Sequence, residues 1–184
     1  MLSDEILMTR FGRGDESAFL ELVSRYRNRL LNFIFRRTGS HELAEDIVQE
    51  TFLRVVNAAP RYQATAKFTT WLYTIALNLW RNEVARRRVT TVPVETTLVE
   101  KSISIDIRVD FNHLQSLMQD LSEEHCLVLE LSFIEGWTNQ QIADLIGCSV
   151  GTIKSRKFYA LKELRKRMGI NKNERMPESA TAIR

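Results

Sequence analysis

The sequence predicts an all-α protein: two small helical domains joined by a flexible linker, the second containing a helix-turn-helix. Apolar residues recur at i, i+3, i+4 and i+7 over long stretches in both halves of the chain. Capping residues stand where those stretches begin. Between them, residues 89–112 (VTTVPVETTLVEKSISIDIRVDFN) are rich in Thr, Ser and β-branched residues and have no 3.6-residue period, which reads as an extended linker. At 184 residues the chain has room for two such domains, each with its own core. The expected divisions are a first domain over 1–88, the linker over 89–112, a second domain over 113–168, and a frayed tail over 169–184, which contains Gly169 and Pro177.

In the first domain, Phe19, Leu22, Val23, Tyr26, Leu30, Phe33 and Ile34 form the buried stripe of a helix that starts at Glu16. Gly39 supplies its stop. Ser40 is the expected N-cap of a second helix, with Ala44, Ile47, Val48, Thr51, Phe52 and Val55 inward and Pro60 closing it. Asp46, Gln49, Glu50, Leu53 and Arg54 remain outward, a polar strip that carries an exposed leucine.

A third helix, roughly Lys67–Arg88, puts Phe68, Leu72, Ile75, Ala76 and Leu79 on one side. Thr74, Asn78, Arg81, Asn82, Ala85 and Arg88 run along another, with Arg86 close by and Trp71 at the border. Amides pair with base edges and guanidinium groups with phosphates, so this stripe has the chemistry to lie against nucleic acid. Tyr62, Phe68, Trp71, Tyr73 and Trp80 either stack on unpaired bases or fill the core; spacing favours the core for Phe68 and Trp80 and leaves Trp71 open. The loop Pro60–Ala66 is either a cradle for an extruded base or a plain connector.

In the second domain, Ser122 caps a helix whose core candidates are Leu127, Leu131 and Phe133, ended by Gly136. Thr138 and Gln141 have capping-box spacing, and a short helix runs to Gly147. Ser149 then caps a last helix from Val150 to about Met168. Ala143 lets two helices approach, Gly147 permits positive φ in the turn, and Ile153 plugs the core between them, the pattern of a helix-turn-helix. The second helix of that motif enters the major groove. This selects Val150, Gly151, Lys154, Ser155 and Phe158, flanked by Arg156 and Lys157, as the DNA-facing set.

The charge pattern fits either two contacts with a polyanion or a solvated surface. Residues 60–90 hold 6 basic and 1 acidic residue, 91–135 hold 2 and 9, and 136–184 hold 10 and 4. Other classes are disfavoured. No apolar run approaches the ~20 residues of a bilayer helix. The opening MLSDEILMTRFGRGDE has charge where a signal peptide needs its apolar stretch, so a cytoplasmic location without direct membrane insertion is expected. The two cysteines, Cys126 and Cys148, make no disulfide framework. The three histidines, His41, His113 and His125, take part in no CxxC or HxxxH spacing, so no metal and no cofactor is expected. No Ser–His–Asp or Cys–His set can be assembled, so no catalytic residue and no enzyme activity is expected.

The stretches GDESAFLELVSRYRNRLLNFI, LAEDIVQETFLRVV, FTTWLYTIALNLWRNEVARRR and LSEEHCLVLELSFIEGWTNQQIADLIGCSVGTIKSRKFYALKELRKRM together resemble the two conserved domains of a bacterial RNA polymerase sigma factor of the extracytoplasmic-function group, in family order over about residues 14–168. The resemblance implies an alternative sigma factor for transcription initiation. Asp46, Gln49, Glu50 and Phe52 match the surface that grips the clamp helices of the core polymerase's largest subunit, with the flap of the second subunit as a further contact. Asn78, Arg81 and Asn82 match positions facing the promoter −10 element, and the Tyr62–Phe68 loop matches one that captures a flipped base. Trp71, Thr74, Arg86 and Arg88 complete that candidate set. Lys154, Ser155 and Phe158 match −35 readers, while Lys157 and Tyr159 depart from the family pattern. The linker matches a segment running through the polymerase interior toward the RNA exit path. The family also implies an anti-sigma factor as a partner that masks both DNA-reading surfaces. The residues taken alone also fit an autonomous helix-turn-helix regulator that binds duplex DNA as a dimer without polymerase.

Overall fold

A computed structural model of the chain describes residues 1–90 and 121–168. It divides into two compact units, Met1–Lys101 and Ser102–Arg184. Most of the expected linker and the whole of the expected tail lie outside the described residues.

The first unit packs four helices. Helix α1 (Asp4–Phe11), capped by Ser3, precedes the first helix expected from the sequence and buries Leu7 and Met8. It is two turns long and half polar, too short for a periodic stripe to stand out. Gly12 follows it because an added Cβ would meet Ala59 O at 2.4 Å; the chain passes that close to the 3-10 turn Ala59–Arg61.

Helix α2 (Glu16–Thr38) starts at the Asp15 cap and ends at Gly39 in the left-handed region, φ 65°. Helix α3 (His41–Ala58) starts where Ser40 accepts the Leu43 N–H at 3.3 Å. Leu22, Tyr26, Leu30, Phe33 and Ile34 of α2 and Ala44, Ile47, Val48 and Val55 of α3 are buried as their spacing requires. Phe19 is only half-buried, since it stacks on Phe11 of α1 with ring centroids 4.5 Å apart rather than entering the centre.

Helix α4 (Phe68–Thr90) contacts α1, α2 and α3 together. Its apolar arc is therefore wider than a single stripe. Tyr73, Leu77 and Trp80 join Phe68, Leu72 and Ala76 in the core, while Ile75 and Leu79 are half-buried. Each fully buried large side chain stabilises the unit by ~1.5–3 kcal/mol relative to its exposed state.

In the second unit, helix α5 (Glu123–Leu129) starts at the Ser122 cap and passes into a π-helical turn, Glu130–Ile134. The Glu135 N–H reaches Glu130 O at 3.0 Å, one residue further than an α-helical bond. The expectation for Phe133 needs correction: two residues after the buried Leu131 it falls on the opposite side of the helix and is 60% exposed, and Trp137, 7% exposed, fills the core instead. Helix α6 (Asn139–Ile146) begins with the Thr138–Gln141 capping box and ends at Gly147, φ 75°. Helix α7 (Val150–Arg167) follows at the Ser149 cap. Ala143 and Ile153 are buried between α6 and α7, and Leu129, Ala160 and Leu164 join α5 to α7. This is the expected helix-turn-helix.

Candidate nucleic-acid interfaces

Along α4, Asn78, Arg81, Asn82 and Arg86 are exposed, as their spacing requires. Thr74 is half-buried and donates its hydroxyl back to Thr70 O at 2.8 Å, leaving less of it for a ligand. Arg86 is also partly engaged: Glu83 accepts from Arg86 and from Arg87, each at 2.9 Å. Hydrogen bonds from these two guanidinium groups hold the Glu83 carboxyl below the usual carboxylate range, and the same contact raises Arg86. The side chain of Arg88 lies outside the described residues.

At the start of α4 three rings meet. The Tyr62 and Trp71 centroids are 5.2 Å apart at 54°, and both residues are half-buried. Phe68 lies 6.4 Å from Tyr62 and 5.8 Å from Trp71 and is fully buried. This corrects the placement of Phe68 among direct DNA contacts: its ring is closed off by Tyr26 behind it and by the two rings in front. Phe68 is the buried floor of this three-ring cluster, a closed aromatic cup in which the half-buried Tyr62 and Trp71 rings meet as its walls. The Tyr62 hydroxyl is buried without a hydrogen-bond partner among the described residues. Burial pushes it above its ordinary pKa, and the charges of Glu5 and Asp4 add to the shift.

Those two acids had no signal in the sequence beyond their favourable place in the first turn of α1. Glu5 Oε1 accepts the Phe68 N–H at 3.0 Å, and Asp4 accepts the Tyr26 hydroxyl. They meet α4 only through the tertiary fold.

On α3, Asp46 and Gln49 are exposed, and Glu50 is half-buried with an ion pair to Arg54 at 2.9 Å. Phe52 requires a correction. It is 9% exposed and packs edge-on against Phe19, so it supports the strip from inside rather than lining it. The apolar part of the outward face is Leu53, 57% exposed, together with the exposed Val56. Asp46, Gln49, Leu53 and Val56 follow i, i+3, i+7, i+10, a single outward line. Beside it Arg27, Leu31, Glu45, Val48 and Gln49 line a hollow of about 100 Å³ between α2 and α3.

In the second unit, Gly151, Lys154, Ser155 and Phe158 are exposed on one face of α7 and Val150 is half-buried at its start. An added Cβ at Gly151 would meet only Ser149 Oγ at 3.5 Å, so packing does not demand glycine there. Arg156 and Lys157, expected to flank this face, both have partners on its α5 side. Arg156 pairs with Glu124 of α5 at 2.7 Å, and Lys157 Nζ lies 4.6 Å above the Phe133 ring. Both point back toward α5 and the π-helical turn, and the exposed Phe133 gains a cationic cover.

Residues 22–90 match the family model for Sigma-70 region 2, and residues 117–166 match the model for Sigma-70, region 4. The chain is 32% identical over 171 residues to the RNA polymerase sigma factor CarQ of Myxococcus xanthus, covering 88% of this chain and 95% of that one. It is 29% identical over 179 residues to the ECF RNA polymerase sigma-E factor of Haemophilus influenzae, covering 86% and 92%. A solved structure of CnrH in complex with the cytosolic domain of CnrY shares the fold with TM-score 0.69 at 24% identity, covering 91% of this chain and 98% of that chain. The sigma factor RpoE in complex with the anti-sigma factor NepR from Bartonella quintana does so with TM-score 0.68 at 23% identity, covering 84% and 98%.

Proposed function

Since the chain belongs to the sigma-70 family of RNA polymerase sigma factors, in its extracytoplasmic-function group, we propose the division of labour by which it works as an alternative sigma factor. It is a transcription initiation factor whose partners are RNA polymerase core and promoter DNA. The α3 line Asp46–Gln49–Leu53–Val56 grips the clamp helices of the largest subunit, and the second unit meets the flap of the second subunit. Helix α7 reads the −35 element: Lys154 donates to guanine, Ser155 bonds to a base edge or phosphate, and Phe158 meets a thymine methyl. Asn78, Arg81 and Asn82 face the −10 element, and Tyr62 and Trp71 receive a base from the opened strand.

Each reading unit alone is small and binds weakly. Mounted on one polymerase, the second contact becomes intramolecular and its effective concentration rises. Opening is favoured because stacking in the cup, ~1–3 kcal/mol per base, offsets the cost of taking a base from the duplex. The protein breaks no bond itself. Among the described residues no helix is long and apolar enough to cross a membrane; the work proposed here is done in the cytoplasm, where an anti-sigma factor that covers both reading surfaces would hold the chain off its polymerase.

The observation that carries this reading is the presence of regions 2 and 4 in one chain, in order, on two separate folded units. The experiment is a binding titration of promoter duplex with the chain alone and with the chain plus core. Specific binding is expected only with core. Tight dimeric binding to a palindromic duplex without core would instead make the chain an autonomous regulator.

A further inference from the structure

Helix α4 begins without a cap of its own. Ala66 and Lys67 precede Phe68, and neither side chain can accept a hydrogen bond from a first-turn N–H. The Phe68 N–H is satisfied instead by Glu5 Oε1 of α1, 3.0 Å away and 63 residues earlier in the chain. The neighbouring acid acts on the same corner. Asp4 accepts from the Tyr26 hydroxyl and from Arg25 Nη1, the latter at 2.6 Å, and the Tyr26 hydroxyl lies 2.9 Å from Thr69 Oγ1. Two successive carboxylates of α1 therefore bear on the two residues that open α4, one directly and one through Tyr26.

Phe68 is also the floor of the aromatic cup, in contact with both walls. An uncapped first turn frays, and fraying at Phe68 moves the floor on which the Tyr62 and Trp71 rings pack. A carboxylate at this end of the helix also has the favourable sign for the helix dipole.

We infer that Glu5, supported by Asp4, is a positioning residue for base capture: it fixes the first turn of α4 and so sets the cup formed by Tyr62, Phe68 and Trp71, without touching DNA. This rests on the capture role proposed for Tyr62 and Trp71. Burial tends to raise the Glu5 carboxyl, but the hydrogen bonds it accepts, first among them from the Phe68 N–H, leave it below its ordinary value. The group is thus charged when it acts.

The test uses the full chain assembled with core polymerase and single-stranded non-template oligonucleotides from a promoter it transcribes, with one abasic position placed at each site in turn. With the wild-type chain, one abasic position, that of the captured base, should weaken binding about tenfold. Glu5→Ala should bind the intact strand about as weakly as wild type binds that abasic strand, with little further loss from the abasic change. Glu5→Gln keeps an acceptor at the same reach and should retain the discrimination. Glu5→Asp keeps the charge, falls short by one methylene, and should lose it. Equal discrimination in the Gln and Asp variants, or full discrimination in Glu5→Ala, overturns the inference; the Gln and Asp pair decides the matter if the Ala chain assembles poorly. A Tyr62→Ala, Trp71→Ala double variant separates the two levels. If it keeps the tenfold effect, base capture by the cup is wrong. If it erases the effect while Glu5→Ala keeps it, only the role of Glu5 is wrong.

Discussion

Arg156 of α7 lies 2.7 Å from Glu124 of α5, and this contact turns one of three neighbouring cations away from the face that carries Lys154. Lys157 is drawn off in the same direction by the Phe133 ring. Of these three, Lys154 is the one left on that face. Lys154→Ala should therefore weaken promoter binding by the holoenzyme about tenfold and reduce the slope of log affinity against log salt by about one. Arg156→Ala should cost severalfold less. Salt titrations of both variants check this, and equal losses would contradict the assignment of the face.

Phe52 and Leu53 are adjacent on α3 but do opposite work. Phe52→Ala should destabilise the free chain by ~3–5 kcal/mol, as a large-to-small change in a core does. Leu53→Ala should stay within ~0.5 kcal/mol of wild type and still weaken assembly with core polymerase, because Leu53 is exposed. Asp46→Arg should nearly abolish that assembly while leaving the fold intact. Denaturant unfolding and co-purification with core separate these effects; unchanged co-purification of Asp46→Arg and Leu53→Ala would remove α3 from the interface.

Asn78 projects from α4 into solvent, clear of the core. Asn78→Ala should reduce strand opening by about tenfold, the scale of one lost base contact, with −35 engagement unchanged. Permanganate reactivity of unpaired thymines, set beside footprinting of the upstream element, measures the two separately. A parallel loss of both would place Asn78 outside the −10 contact.

Tyr26 gives a pH signature. Burial, and next the hydrogen bond to Asp4, push its hydroxyl from 10.0 to about 12. The native state holds the proton more tightly than the unfolded chain does. The stabilisation is thus fully present below pH 10 and is lost as pH rises toward about 12. The stability difference between wild type and Tyr26→Phe should be constant up to about pH 9 and shrink above pH 10. Denaturant midpoints of the two chains across this range check it, and a difference that does not change with pH would show that the shift is absent.

What was legible in the sequence was what is local. Ser40, Ser122, Ser149 and the Thr138–Gln141 pair act on N–H groups three residues away, and Gly39 and Gly147 act on their own backbone, so helix boundaries and the helix-turn-helix could be read directly. Apolar character misled at Phe133, which periodicity itself puts opposite the buried Leu131 and which faces solvent. Periodicity failed only on α4, which is buried on more than one side, and this brings Tyr73 and Leu77 into the core. The residues of the cup lie within ten positions of one another, so their association was visible. That Phe68 is the floor and Tyr62 and Trp71 the walls depends on α1, whose contact with α4 spans 63 residues and leaves no trace in either segment alone.

The most direct measurement is run-off transcription by core polymerase over a genomic template library, with and without this chain. The account predicts a limited set of RNAs that appear only when the chain is present, each starting downstream of the same pair of spaced elements. If no RNA start depends on the chain, the account is wrong.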